Sequence, residues 1–220
     1  MSGSVVAVVF DLDGTLVDSR ADIAAAANFS LVQHGFLAHP EAVIGGFVGD
    51  GATNLLIRAA GIPSQDPRFP AVLQTFLDYY ARHAADHTVL MPGSLEAIDA
   101  LAGIDVAVLT NKPRGPTEAL LDALGIASRF QVVVAGGDLQ VLKPDPQPLL
   151  FVAEQLGCPI ASVAMVGDGP QDIECGRAAG ARTIGVKGGI ASLQRLVDAQ
   201  PDRLIESLFE LPQAIASLRR

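Results

Sequence analysis

Residues 5–19 read VVAVVFDLDGTLVDS, and this stretch constrains the fold more than any other. The apolar run from Val5 to Phe10 ends in two acids one residue apart, Asp11 and Asp13, followed at once by Gly14 and Thr15. A short continuous apolar run bounded by turn residues is what a strand covered on both faces looks like. Such a strand delivers two carboxylates to a single point at its carboxyl end.

Further short β-rich runs occur at Asp105 to Leu109, Gln131 to Ala135, Ser162 to Val166 and Arg182 to Val186. Helical patterns lie between most of them, at Thr117 to Leu124, Gln147 to Leu156 and Gln171 to Ala179. This alternation predicts an α/β fold, a doubly wound parallel sheet with helices on both faces. Ligands of such sheets bind beyond the carboxyl ends of the strands. One interval breaks the pattern. From about Ser19 to His87 there is no strand signal, only helical stretches at Asp22 to His34, Thr53 to Ala60 and Ala71 to Ala84, separated by Gly and Pro. This reads as a helical domain inserted after the first strand, where the Ala24 to Ala27 run serves helix packing.

The chain has 220 residues, 50% hydrophobic and 18% charged, enough for a sizeable core carrying a smaller insertion. Its formal net charge of -9, with no Lys/Arg cluster, argues against nucleic acid as a partner, so an anionic substrate needs a local basic site. Met1 to Ser4 carry no positive charge, and Asp11 interrupts the following apolar run before it could be a signal-peptide core or a membrane span. The expectation is a cytoplasmic protein that does not engage a membrane, a monomer or homodimer. Cys158 and Cys175 lack metal-ligand spacing and are expected to be reduced and structural.

Polar residues gather where the strands end. Thr110-Asn111-Lys112-Pro113 ends the second strand, Lys143-Pro144-Asp145-Pro146 follows the third, and Gly167-Asp168-Gly169-Pro170-Gln171-Asp172 follows the fourth. Each has a plain alternative: Asp13-Gly14 as a turn, Asp18 or Ser19 as a helix cap, Asp145 and Asp168 as caps before a proline. Together they carry more. If Asp11, Asp13, Asp168 and Asp172 converge, each pair of ionised carboxylates about 4 Å apart costs on the order of 4 kcal/mol at an effective dielectric of about 20. Such a cluster needs a cation or a proton. All-oxygen ligands that leave room for water and phosphate suit Mg²⁺. Lys143 supplies a second positive charge, Thr110 a hydroxyl, and the Asp13-Gly14 turn backbone N–H groups for an anion nest. The set fits phosphoryl transfer from a monoester, in which one aspartate attacks phosphorus and the other protonates the leaving alcohol and later activates water.

In order and spacing, DLDGTLVDS, TNKP, KPDP and GDGPQD resemble the four motifs of the haloacid dehalogenase superfamily, and the helical insertion resembles its first-type cap. The resemblance covers nearly the whole chain. It implies a Rossmann-like catalytic core over residues 1–17 and 89–220, a cap over 18–88, and a magnesium-dependent aspartyl-phosphate mechanism. By this likeness Asp11 is the nucleophile, and Asp13 is the general acid and base with its backbone carbonyl on the metal. Thr110 and Asn111 hold the phosphate, Lys143 neutralises it, and Asp168 ligates the Mg²⁺, with Asp172 ligating it or orienting its waters. The true dehalogenases lack the second acid of the first motif, so Asp13 points to a phosphatase.

FVGDG at Phe47 to Gly51, FLDYYARH at Phe76 to His83, LTNKP and GGDLQVLKPDPQPLL resemble the bacterial phosphoglycolate phosphatase group. This implies a small phosphoester substrate, 2-phosphoglycolate above others, met in the cap by Gly49 and Gly51 and in the core by Lys112. Two positions depart from the group's pattern. Asp50 replaces an asparagine and is expected to cap the helix that starts near Ala52, and Gly169 replaces a serine or acid. Lys112, Arg20, Arg58 and Arg114 could each meet the substrate's distal group, with the surface as the default for any one of them. His83 and His87 share an i, i+4 spacing but have no third ligand nearby, so they are expected to be solvated or core residues. A sugar-phosphate mutase, a pyrophosphatase or a noncatalytic regulatory binder of the same architecture remain alternatives.

Overall fold

A computed structural model describes residues 4–218. The first strand, β1 (Ala7–Phe10), is wholly buried. It runs into a two-residue strand, β2 (Val17–Asp18). Four helices follow in succession: α1 (Arg20–Gln33), α2 (Glu41–Gly45), α3 (Gly51–Ala60) and α4 (Phe69–His83). The chain returns through β3 (Val89–Leu90), which pairs antiparallel with β2. The remainder alternates: α5 (Ser94–Asp99), β4 (Asp105–Pro113), α6 (Arg114–Ala123), β5 (Val132–Gly136), α7 (Gln147–Gln155), β6 (Val163–Gly167), α8 (Pro170–Ala179), β7 (Arg182–Val186), α9 (Leu193–Asp198), β8 (Arg203–Ile205) and α10 (Leu211–Ser217).

Six strands form one sheet in the order β5-β4-β1-β6-β7-β8, and every pairing in it is parallel. This is the doubly wound α/β fold, with a helical cap inserted after the first strand. The central strand is the most apolar because helices cover both of its faces. Side-chain alternation splits its residues between two cores. Val8 and Phe10 join Val106, Val108, Ala164 and Val166 on one face, in a cluster continuous with Leu56, Phe76 and Tyr80 of the helical cap. Ala7 and Val9 join Ala107, Leu109, Met165, Leu149 of α7 and Cys175 of α8 on the other. Both cysteines are free thiols, and that of Cys175 donates to the carbonyl of Asp145 at 3.1 Å.

The β1 register, Phe10 opposite Val108 on one side and Val166 on the other, brings Asp11, Thr110 and Asp168 to one edge of the sheet. β4 runs past the expected end at Leu109 as far as Pro113, with a shift in pairing between Leu109 and Pro113. That irregularity carries Thr110, Asn111 and Lys112 beyond the regular ladder. Ala24, Ala26 and Ala27 are buried and let α1 pack closely on α4. Buried Asp22, in the first turn of α1, accepts hydrogen bonds from the backbone N–H of His87 and from the N–H and hydroxyl of Thr88, which ties the start of the helical segment to its end. None of the helices among the described residues is long and apolar enough to cross a membrane.

Candidate active site

Three acids meet beneath the carboxyl edge of the sheet. Asp11, Asp168 and Asp172 are all buried, and each offers a carboxylate oxygen within 4.8 Å of those of the other two. Lys143 lies among them, its Nζ 2.7 Å from Asp11 Oδ1, 2.7 Å from Asp172 Oδ1 and 2.7 Å from the carbonyl of Leu109. All three ammonium N–H bonds are therefore committed. Asp172, in the first turn of α8, also accepts the backbone N–H of Gly169 at 3.0 Å. Asp168 Oδ2 accepts from the backbone N–H groups of Ile190 (2.6 Å) and Ala191 (2.9 Å), while Oδ1 accepts from the Thr15 hydroxyl at 3.3 Å.

Backbone presses close on these acids. A Cβ on Gly14, whose φ is +86°, would lie 2.5 Å from Asp168 Oδ2, and one on Gly167 would lie 2.1 Å from Asp172 Oδ2. Only glycine lets the chain pass so near and, at position 14, adopt that conformation without strain.

One ammonium does not neutralise three carboxylates. Burial first, then the charge of Asp172, pushes the Asp11 carboxyl up to about 7, although Lys143 pulls it the other way. Burial and Asp11 push Asp168 up to about 6 against the backbone N–H groups of Ala191 and Ile190. Burial also raises Asp172, opposed by Lys143. For Lys143, burial disfavours the charge, but Asp11 and Asp172 outweigh it and hold the ammonium above its ordinary value. Buried acids that resist ionising, with only oxygen donors facing one another, fit a hard divalent cation.

Asp13 does not join this cluster, so the expected convergence of four acids is a convergence of three. Its side chain turns toward the helical cap, where Oδ1 accepts from the Ser19 hydroxyl at 2.6 Å and from Lys112 Nζ at 3.0 Å. Of the backbone donors in the local turn, the N–H of Gly14 bonds the carbonyl of Val17 at 2.8 Å, and that of Thr15 bonds the carbonyl of Leu12 at 3.3 Å. These two donors are spent within the turn, which leaves the Asp13 N–H as the nest donor of the Asp13-Gly14 pair.

Thr110 Oγ1 accepts the backbone N–H of Lys112 at 3.1 Å, which leaves its own proton available to a ligand. The Asn111 amide is a brace instead. Its nitrogen donates to the carbonyls of Gly49 and Lys143, both at 2.9 Å, and its oxygen accepts the N–H of Lys143 at 2.9 Å. The side chain thus has no N–H left for a phosphate, and a hold on phosphate by Asn111 would have to come from its backbone N–H.

Lys112 is buried rather than a surface residue, because the irregular end of β4 lifts it toward α4. Its Nζ donates to the Tyr80 hydroxyl and sits 4.1 Å from the centre of the Tyr80 ring. Tyr80 and Ser19 are neighbours of the site, and the sequence reading gave them no part in it. The available signal was the α4 stripe Val72, Phe76, Tyr80, buried at helical spacing, whose last member alone carries a hydroxyl.

A cavity of about 40 Å³ opens over these groups, room for a few water molecules. Asp11, Asp13, Thr110, Asn111 and Lys112 form its polar floor, and Gly49 and Gly51 line it too. Ile23, Val48, Leu55 and Phe76 make an apolar roof.

The remaining expected residues lie elsewhere. Asp50 occupies the position before α3 but makes no side-chain cap; it pairs instead with Arg58, 2.5 Å away and two turns along the same helix. The expectation that it caps is therefore overturned, and it does not line the cavity. Gln171 fills the space above Gly169, where a Cβ would lie 2.2 Å from its Nε2. Arg20 pairs with Asp18 and Arg114 with Asp138, and His83 pairs with Asp86 in a partly exposed contact. The acids Asp11, Asp168 and Asp172 are the one metal-ligand grouping among the described residues.

Residues 8–186 match the haloacid dehalogenase-like hydrolase family. Over 230 residues the chain is 35% identical to a phosphoglycolate phosphatase of Escherichia coli (strain K12), covering 94% of this chain and 91% of that protein. It is also 35% identical, over 213 residues, to a phosphoglycolate phosphatase of Yersinia pseudotuberculosis, at 94% and 92% coverage. Among solved structures, a predicted phosphoglycolate phosphatase from Haemophilus somnus superposes with a TM-score of 0.88 at 28% identity, covering 95% of this chain and 97% of that one.

Proposed function

Because the chain belongs to the haloacid dehalogenase-like hydrolase family and is a phosphatase, we propose that it hydrolyses 2-phosphoglycolate through a phosphorylated aspartate in the presence of Mg²⁺. The observation that carries this reading is the meeting of Asp11 with Asp168, Asp172 and Lys143 under a cavity lined by residues of both the core and the helical cap. The relatives named for phosphoglycolate support the choice of substrate. We take residues 1–17 and 89–220 as the catalytic core and 18–88 as the cap domain, which excludes bulk water from the cavity as lids do.

Asp11, Asp168 and Asp172, with the backbone carbonyl of Asp13, would hold the Mg²⁺, which when bound supplies positive charge to the acids and to the phosphoryl oxygens. An Asp11 oxygen attacks phosphorus, the bond between phosphorus and the ester oxygen breaks, and Asp13 gives that oxygen its proton. Lys143 steadies Asp11 at 2.7 Å, and the Thr110 hydroxyl donates to the phosphoryl group. Asp13, now a carboxylate, takes a proton from a water that attacks the same phosphorus; the acyl phosphate breaks, and inorganic phosphate and Asp11 are released. Ser19 and Lys112 fix the Asp13 carboxyl for both transfers.

Phosphate release from a panel of small phosphoesters tests the reading. The expected result is the highest kcat/KM for 2-phosphoglycolate, loss of turnover in excess chelator, and only trace turnover by folded Asp11→Asn, whose amide keeps the shape but cannot attack. Conversion of a sugar phosphate to its isomer, preferential cleavage of pyrophosphate, or undiminished turnover in chelator would overturn it.

A further inference from the structure

Lys112 is the second buried ammonium of the site, and the chemistry at phosphorus does not consume it. Its side chain is 1% exposed, yet among the described residues it has a single close carboxylate partner, Asp13 at 3.0 Å. The hydroxyl and ring face of Tyr80 hold the ammonium in place from the cap side. Two of its three N–H bonds are thus directed to protein, and the third is free for a ligand in the cavity that Lys112 lines. Of the residues lining that cavity, Lys112 alone carries a positive charge, for Lys143 lies below it with its donors spent. The roof is apolar, and the nearby cap acid, Asp50, is turned away to Arg58. An anionic group at the far end of the substrate has therefore one positively charged partner, Lys112, and meets no acid in the roof, the acids of the cavity, Asp11 and Asp13, lying in its floor.

We propose that Lys112, held by Tyr80, is the specificity-determining residue that binds the carboxylate of the substrate, so that the site selects small phosphomonoesters bearing an acid close to the ester carbon. The phosphate end accepts any monoester; the Lys112 end chooses among them. A desolvated, charge-assisted hydrogen bond discriminates well between a carboxylate and a neutral group of the same shape. This inference rests on 2-phosphoglycolate being a substrate.

The test compares kcat/KM for 2-phosphoglycolate and for its carboxamide, which has nearly the same shape without the charge. The wild type should prefer the acid by about tenfold or more, and Lys112→Met should bring the two within about threefold. The ratio matters because Lys112 also touches Asp13, and any effect through Asp13 falls on both substrates alike. If Lys112→Met slows both equally and keeps the preference, Lys112 only positions Asp13 and the inference is overturned. Equal use of acid and amide by the wild type overturns it as well, and that comparison stands even should the variant fail to fold. In both cases the phosphatase reading survives. If the wild type cleaves neither compound but does cleave other esters, it is the assignment of 2-phosphoglycolate that fails, and the inference with it.

Discussion

Replacing Lys143 by methionine keeps the stem of the side chain and removes the one ammonium bonded to Asp11 and Asp172, each at 2.7 Å. Breaking a buried ion pair from one side costs about 3–5 kcal/mol, because the partner charge is left uncompensated. Here two carboxylates are left, but they can escape by taking up protons. Asp11 is pushed up to about 7 and Asp168 to about 6, so the folded protein binds more protons than the unfolded chain between about pH 4 and 7. Acids raised in this way contribute stability that is full below the unfolded value and lost as pH rises through the folded value. The metal-free variant should therefore be weaker than wild type by about 3–5 kcal/mol at pH 8, with the deficit shrinking steadily toward pH 5. Urea unfolding followed by circular dichroism, in chelator at pH 5, 6.5 and 8, measures that difference directly. A deficit below about 1 kcal/mol at pH 8, or one that grows as pH falls, would refute the assignment of Lys143 as the main counter-charge.

Gly14→Ala should lower the melting temperature and raise the Mg²⁺ concentration needed for half-maximal turnover. It costs about 1–3 kcal/mol of backbone strain and drives a methyl toward Asp168, its Cβ 2.5 Å from Oδ2; unchanged metal dependence in a folded variant would count against the crowding argument. Asp50→Asn breaks only the partly exposed pair with Arg58 and should change stability by less than about 1 kcal/mol. It should also leave kcat/KM for 2-phosphoglycolate within about twofold, whereas a tenfold rise, about 1.4 kcal/mol, would mean that its side chain reaches the substrate.

The strands of the sheet interior were legible because burial on both faces forces continuous apolar runs, as in Val5 to Phe10 and Ser162 to Val166. β8 was not, since Arg203 and Leu204 are exposed on an edge strand and only Ile205 is buried. Short α5, α9 and α10 offer too few turns for a helical period to declare itself. At the site, the acids and lysine at strand ends were readable because the fold itself carries strand ends to one edge. Side-chain direction was not. Asp13 is adjacent to its motif partners in sequence, yet its orientation is set by Ser19 together with Lys112, 99 residues away. Asn111 spends its amide on Gly49 and Lys143, and Asp50 passes over its own helix end for Arg58. Local propensity ranks such choices only when no charged or long-range partner competes.

The closeness of backbone to Asp168 and Asp172 has a practical corollary for altering this protein. Around those two acids the neighbouring atoms belong largely to main chain at Gly14, Gly167 and Ile190, so a mutational library there finds few side chains to exchange and mostly breaks the protein. Ile23, Val48, Leu55 and Phe76 differ in kind: they line the cavity with ordinary apolar side chains from the helical segment. Trimming Leu55 enlarges the chamber at the cost of buried contacts on the cap, whereas trimming Phe76 also withdraws the ring packed on Tyr80, the residue that holds Lys112. Directed evolution toward bulkier esters should therefore start at Ile23, Val48 and Leu55, where a change of side-chain volume reshapes the chamber first.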